Sequence, residues 1–192
     1  MAKRIRDTEV ERKLSEISRL DNEIRGSYLV ATSYLEDNIS DTIASHFYPN
    51  PRSGDPKRVD LLWFILRNHS LGFRTKVAIY TALIKKRYPE LWKEYSSEIA
   101  KLEGVTKFRN MLAHAGSVFP DEDLSKVDYI SLVDFKIGEA IDRKISKKEG
   151  ATKLEELHRL IDITGEIWSQ IWKKNDPKSF GKGQRQPFGT ID

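Results

Sequence analysis

Apolar residues recur along this chain at steps of three and four positions, which is the spacing of one helix face. The pattern is present in six stretches, at 8–25, 27–47, 60–66, 73–84, 89–112 and 150–173. It is weakest in the first stretch, where alternating charges leave only a narrow apolar stripe. The pattern therefore predicts an all-α fold.

Proline and glycine residues mark the expected ends of these helices. A loop is predicted at Pro49, Pro51, Gly54 and Pro56. Asp60 is expected to start the next helical run, and Pro89 lies near the start of the longest central one. Gly116 follows that helix and is expected to adopt the left-handed conformation of a residue just past a helix end.

The pattern changes after Gly116. Residues 118–128 are acidic and predict a loop, whereas 129–136 alternate enough between apolar and polar side chains to predict one short strand. Residues 175–192 are rich in Gly, Pro, Lys and Gln, which predicts a disordered tail. The expected organisation is a charged N-terminal helix at 1–26, a helical domain at 27–174 and the tail at 175–192.

Composition narrows the class of protein. The chain has 192 residues, of which 39% are apolar and 32% charged, enough for one domain with a core and a solvated surface. It contains no cysteine, which excludes disulfides, thiol catalysis and thiolate metal sites. No apolar signal segment follows Met1 and no stretch has the length of a membrane span, so a soluble cytoplasmic protein without membrane partners is expected. The net charge of +4 is mildly basic and favours encounter with polyanions such as RNA.

The segment that most suggests chemistry is FRNMLAHAG, at 108–116. Spacing alone is a weak signal, because about 0.3 pairs separated like Arg109 and His114 are expected by chance in a chain of this composition. On an ideal helix Asn110 and His114 share one face, whereas Arg109 lies about 140° from His114. A site using both is therefore easier to build where two such helices meet. The alternative is a structural role, with the arginine paired to a carboxylate and the histidine bonded to the last helix carbonyls.

This segment resembles the R-x4–6-H motif of the HEPN superfamily, in which asparagine commonly follows the arginine. The stretch GFRTKVAIYTALI, at 72–84, is similar to the helix before the motif in mannitol-repressor-like HEPN proteins. The resemblance covers about 28–116 and extends loosely to the tryptophan-rich last helix. It implies an antiparallel helical bundle of HEPN type and a homodimer whose composite cleft is formed by two motifs.

Candidate roles follow from the chemistry of RNA cleavage without a metal. One group must take the 2′-hydroxyl proton, another must protonate the leaving 5′-oxygen, and a cation must offset charge on the phosphorane. His114 suits the proton transfers, Arg109 suits the phosphate, and Asn110 can orient either. Weaker candidates for substrate contact are Glu36, Lys85, Lys86 and Arg87. No metal site or cofactor is expected, because the other histidines have no metal-ligand spacing.

The expected function is that of an RNA-directed HEPN-like protein, either a metal-independent endoribonuclease or an RNA-binding protein, in defence, toxin–antitoxin or RNA processing. The alternative is a non-catalytic helical regulator or protein-interaction module of the mannitol-repressor type. The charged helix at 1–26 could receive a protein partner, although solvation is the favoured explanation of its charges. The four tryptophans lie on apolar stripes and are expected in the core or at an interface.

Overall fold

The structure is a computed structural model that describes residues 2–48, 55–68, 71–118, 128–136, 139–175 and 177. The α-helices are α1 (Ala2–Phe47), α2 (Pro56–Asp60), α3 (Phe73–Arg87), α4 (Pro89–His114) and α5 (Lys147–Asn175). The strands are β1 (Gly116–Val118), β2 (Tyr129–Lys136) and β3 (Glu139–Ser146). The mostly helical prediction is confirmed, with a small antiparallel sheet added to it.

The first two predicted stretches form one continuous helix, α1, of 46 residues. Gly26, at the predicted boundary, lies inside it. A glycine costs a helix interior about 1 kcal/mol relative to alanine, and the apolar residues that α1 buries on both sides of it outweigh that cost. Val10 is 46% exposed, whereas Ile17 and Ile24 are buried. Among the described side chains, burial in α1 therefore begins at Ile17.

The three strands pair in the order β1–β2–β3, each antiparallel to its neighbour. Strand β2 occupies 129–136 as predicted. The sequence pattern predicts neither β1 nor β3. Strand β1 has only three residues, and β3 has three consecutive charged residues, at 142–144, that interrupt any apolar alternation. Both become strands through backbone pairing with β2, in which Ser117 opposes Leu132 and Arg143 opposes Leu132 from the other side.

The expected left-handed conformation of Gly116 is wrong. The φ of Gly116 lies outside the left-handed region, and Gly116 is the first residue of β1, paired with Val133. The end of α4 is satisfied differently, because the Arg25 side chain donates to the carbonyl oxygens of Leu112 and Ala115. A side-chain cation supplies the donors that a glycine-dependent turn would otherwise bring to a helix end.

The helical run expected to begin at Asp60 begins four residues earlier. The Asp55 side chain accepts a hydrogen bond from the backbone N–H of Lys57 at 2.9 Å, and Pro56 occupies the first helical position. After Asp60 the backbone continues as a π-helix over Leu61–Leu66. Leu62 and Leu66 are buried there, whereas three large apolar side chains of the same segment are exposed, namely Trp63, Phe64 and Ile65.

The chain divides into two compact units. The first contains Met1–Thr32 and Lys107–Leu157, and therefore the sheet. Its core includes an edge-to-face contact between Tyr28 and Phe108, whose ring centroids lie 4.8 Å apart. The other buried apolar side chains of this unit include Ile17, Ile24, Leu112, Ile130, Leu132, Ile145 and Leu157.

The second unit contains Ser33–Thr106 and His158–Asp192. Its core is helical, and the amide of Asn38 ties α1 to α5 by donating to the carbonyl oxygen of Ile161 at 3.0 Å. The buried apolar side chains of this unit include Leu35, Ile39, Ile43, Leu62, Leu66, Tyr80, Ile84, Leu102, Leu160, Ile167, Ile171 and Trp172. Residues 119–127 of the predicted loop at 118–128 lie outside the described residues, as do Pro49, Pro51 and Gly54, and residues 176 and 178–192 of the predicted tail at 175–192. The loop and tail predictions are wrong for Val118, which ends β1, and for Asn175, which ends α5.

Candidate functional site at the end of helix α4

The end of α4 separates a buried face from an exposed one. Phe108 and Leu112 are 5% and 1% exposed and pack into the core of the first unit. Asn110 and His114 are exposed, and Arg109 is half-buried. This division follows helix periodicity, since residues four apart share a face. Asn110 and His114 therefore face solvent, whereas Arg109 is half-buried at the side of the helix.

Arg109 and Asn110 are in direct contact. The Arg109 Nη1 donates a hydrogen bond to the Asn110 Oδ1 at 3.1 Å. The amide nitrogen of Asn110 consequently keeps both of its donors for another acceptor. Within the described part of the chain, Arg109 makes no ion pair with a carboxylate, and His114 makes no hydrogen bond to Arg109 or to a helix carbonyl. The structure thus brings together two of the three predicted residues.

A clamp on the end of α4 holds the motif in place. Arg25 Nε donates to the Asp21 carboxylate at 2.7 Å, and its Nη2 donates to the Ser117 hydroxyl at 2.8 Å. The same guanidinium reaches the carbonyl oxygens of Leu112 and Ala115, and Ser117 in turn donates to Asp21. The side chains of Arg25 and Asp21 are each only 18% exposed. Arg25 therefore fixes the backbone on both sides of His114.

Sequence reasoning missed this clamp. Its only local signal is the four-residue spacing of Asp21 and Arg25, which is common on solvated helices. Nothing in that spacing indicates that the guanidinium contacts residues about 90 positions later in the chain. The contact depends on how α1 and α4 pack.

A further cation lies beside the motif. The Arg143 guanidinium of β3 stands 5.6 Å from the centroid of the Phe108 ring and pairs with Glu149 at 3.0 Å. The side chains of Arg143 and Glu149 are 47% and 36% exposed, so this ion pair contributes little to stability. Arg143 therefore places a positive charge over the ring of Phe108, the first residue of the segment at 108–116.

The weaker candidates for substrate contact lie in the second unit. Glu36 forms an ion pair with Lys76, whose side chain is only 3% exposed. Lys85 stands 5.6 Å from the ring centroid of Trp92. Lys86 is exposed, and Arg87 lines an open pocket with His46. The Glu36 carboxylate is therefore already paired with the buried ammonium of Lys76, whereas the Arg87 guanidinium lines the open pocket.

No group of three or more His, Asp or Glu side chains within the described residues is arranged to hold a metal ion. None of their helices combines the length and the apolar character needed to cross a bilayer.

Comparison of the chain with protein-family models, with curated proteins and with solved structures finds no match in any of the three.

Proposed function

We propose that this chain is an RNA-directed protein of HEPN type, acting as a homodimeric, metal-independent endoribonuclease. The observation that carries the proposal is the exposure of Asn110 and His114 on the rigid end of α4, with Arg109 bonded to Asn110. Catalytic side chains need this combination of solvent access and a fixed backbone. A structural role for His114 would be favoured by burial or by bonds to the helix carbonyls, and Arg25 makes those bonds instead.

The proposed reaction is a transesterification. The RNA 2′-oxygen attacks the adjacent phosphorus while the bond from phosphorus to the 5′-oxygen breaks, which yields a 2′,3′-cyclic phosphate and a free 5′-hydroxyl. One imidazole takes the 2′-hydroxyl proton and another donates a proton to the leaving oxygen. Each chain supplies one such imidazole, His114, so two protomers supply both. Arg109 and the Asn110 amide stabilise the charge on the phosphorane.

The test is incubation of the purified protein with mixed RNA in excess chelator. We expect cleavage products that end in a 2′,3′-cyclic phosphate. His114→Ala and Arg109→Ala should each lower the cleavage rate by about a hundredfold or more, with the circular dichroism spectrum unchanged. His158→Ala is the matched control, because His158 is an exposed histidine of the second unit. Absence of cleavage, or cleavage that survives replacement of both Arg109 and His114, contradicts the proposal.

A second candidate function is a non-catalytic protein-interaction module. It is favoured by the exposure of Trp63, Phe64 and Ile65, which are 62%, 70% and 52% accessible. Adjacent exposed apolar side chains of this size commonly mark contact surfaces. Under this candidate, neither the wild-type protein nor its Arg109 and His114 variants cleave RNA. Phe64→Ser then abolishes binding of the protein partner, whereas Val10→Ser leaves that binding intact.

A further inference from the structure

The second unit contains an open pocket that none of the roles above uses. It has a volume of about 330 Å³ and is lined by His46, Arg87, Tyr88, Lys174 and Asn175. These residues come from the C-terminal ends of α1, α3 and α5 and from the connection between α3 and α4. The volume lies at the lower end of the range of small-molecule sites, about 300–1,000 Å³.

The charge of the pocket is positive. Arg87 and Lys174 are both exposed, and neither forms an ion pair with a carboxylate in the part of the chain that the structure describes. The Lys174 Nζ stands 5.8 Å from the ring centroid of Tyr88, which holds the ammonium over the aromatic floor. No carboxylate of the described residues lines the pocket. Two basic side chains thus line the same opening.

Helix ends oppose this charge only in part. The C-terminal end of a helix carries about half a negative elementary charge, spread over its last carbonyls. The Ser45 carbonyl near the end of α1 already accepts from Asn175 Nδ2 at 3.2 Å, and the Ile84 carbonyl near the end of α3 accepts from the Tyr88 N–H at 3.0 Å. The positive N-terminal end of α4 also begins here, at Pro89. The full charges of Arg87 and Lys174 therefore dominate.

A chain of hydrogen bonds shapes the polar wall. Asn175 Nδ2 donates to the Tyr88 hydroxyl at 3.4 Å, and that hydroxyl lies 2.9 Å from His46 Nδ1. Because the Tyr88 oxygen accepts from Asn175, its own proton is available to His46 Nδ1, which leaves the ring N–H on Nε2. Burial lowers the pKa of His46 and the nearby Arg87 lowers it further, and both effects favour the neutral form of the ring.

We propose that this pocket binds a phosphate monoester, with Arg87 and Lys174 on the phosphate oxygens and His46 as a polar wall residue. A guanidinium fork matches two oxygens of a phosphate, and an ammonium adds a point charge to a third. Two unpaired cations complement a dianion, which a monoester is and an internal RNA phosphodiester is not. The volume leaves room for a small organic group beside the phosphate. This site is formed by the second unit alone, so it does not depend on the proposed role of Arg109 and His114.

The test is titration calorimetry with inorganic phosphate, a 5′-mononucleotide and a dinucleotide that carries only a phosphodiester. We expect saturable binding of the two monoester-like dianions and much weaker binding of the diester. Arg87→Ala and Lys174→Ala should each weaken binding about tenfold. Lys86→Ala is the matched control, because it removes the same charge from an adjacent exposed position that does not line the pocket. The mononucleotide and phosphate arms show whether the organic group adds affinity.

Three results would overturn the proposal. The first is no saturable binding of either dianion up to about 10 mM, a concentration that would fill most of a site with a dissociation constant of about 1 mM. The second is equal weakening by Lys86→Ala, which would mean attraction to the general surface charge. The third is Arg87-dependent binding of the diester that exceeds binding of the monoester, which would reassign the pocket to single-stranded RNA. None of these results bears on RNA cleavage at the end of α4.

Discussion

The guanidinium of Arg25 donates a hydrogen bond to the carbonyl oxygen of Ala115 at 2.9 Å, across 90 positions of sequence. Ala115 directly follows His114, so this contact fixes the backbone at the helix end that carries the candidate histidine. It also explains why α4 ends without a left-handed glycine, since the carbonyls at its end already have donors. One arginine of α1 therefore determines both the end of α4 and the start of β1.

Removing this arginine should destabilise the first unit. Arg25→Ala takes the donors from two carbonyls and the partner from Asp21, which is 18% exposed. Hydrogen bonds from a charged donor contribute about 1.5–3 kcal/mol, so we expect a loss of about 2 kcal/mol in the free energy of unfolding, measured with urea. Arg19→Ala, an exposed arginine on the same helix, is the control and should change stability by less than about 0.5 kcal/mol. Equal stability of the two variants would show that the clamp contributes nothing.

Mixing wild-type and His114→Ala chains in equal amounts should lower RNA cleavage below half if the site needs an imidazole from each chain. Random reassociation makes about a quarter of the dimers fully wild-type and about half of them mixed, and a mixed dimer holds only one of the two imidazoles. About a quarter of the activity of the same amount of wild-type protein is therefore expected. The measurement is the cleavage rate after joint unfolding and refolding. About half of that activity, with dimers present by sedimentation, would place the site within a single chain.

The ion pair between Glu36 and Lys76 should show strong coupling. Lys76 is buried with its side chain 3% exposed, whereas Glu36 is 28% exposed. Glu36→Gln leaves a buried ammonium without its counter-ion and should cost about 2 kcal/mol, less than for a fully buried pair because solvent still reaches residue 36. Lys76→Met combined with Glu36→Gln should recover most of that loss. A double-mutant cycle by urea unfolding measures the coupling, and strictly additive effects would argue against the ion pair.

Stability should fall in mild acid because of His46. Burial and the positive charge of Arg87 lower the pKa of His46 below its ordinary value of 6.5, and Lys174 lines the same pocket. A group with a lowered folded-state pKa stabilises the protein above 6.5, and this contribution is lost as the pH falls through the folded-state pKa. The loss is no steeper than about 1.4 kcal/mol per pH unit for one site. His46→Gln should flatten this part of the melting-temperature profile in a phosphate-free buffer, and an unchanged slope would assign it to another group.

Much of the helical fold could be predicted because its apolar spacing is local. Strand β2 was also predictable, since its alternation lies within eight residues. Strands β1 and β3 were not, because they depend on pairing with β2 and carry little apolar alternation of their own. The exposure of Trp63 could not be predicted either, because an apolar stripe does not indicate which of its members contacts the core.

The sequence by itself determined most of the helical segments and that Asn110 and His114 share one face of α4, because both follow from helical periodicity. Only the tertiary structure decided that Arg25 donates hydrogen bonds at the end of α4, that Glu36 forms an ion pair with Lys76, and that Arg87 and Lys174 line one pocket. The physical reason is distance along the chain. Helix formation depends on neighbours three and four residues apart, whereas these contacts join segments 40 to 90 positions apart and arise only when the helices pack.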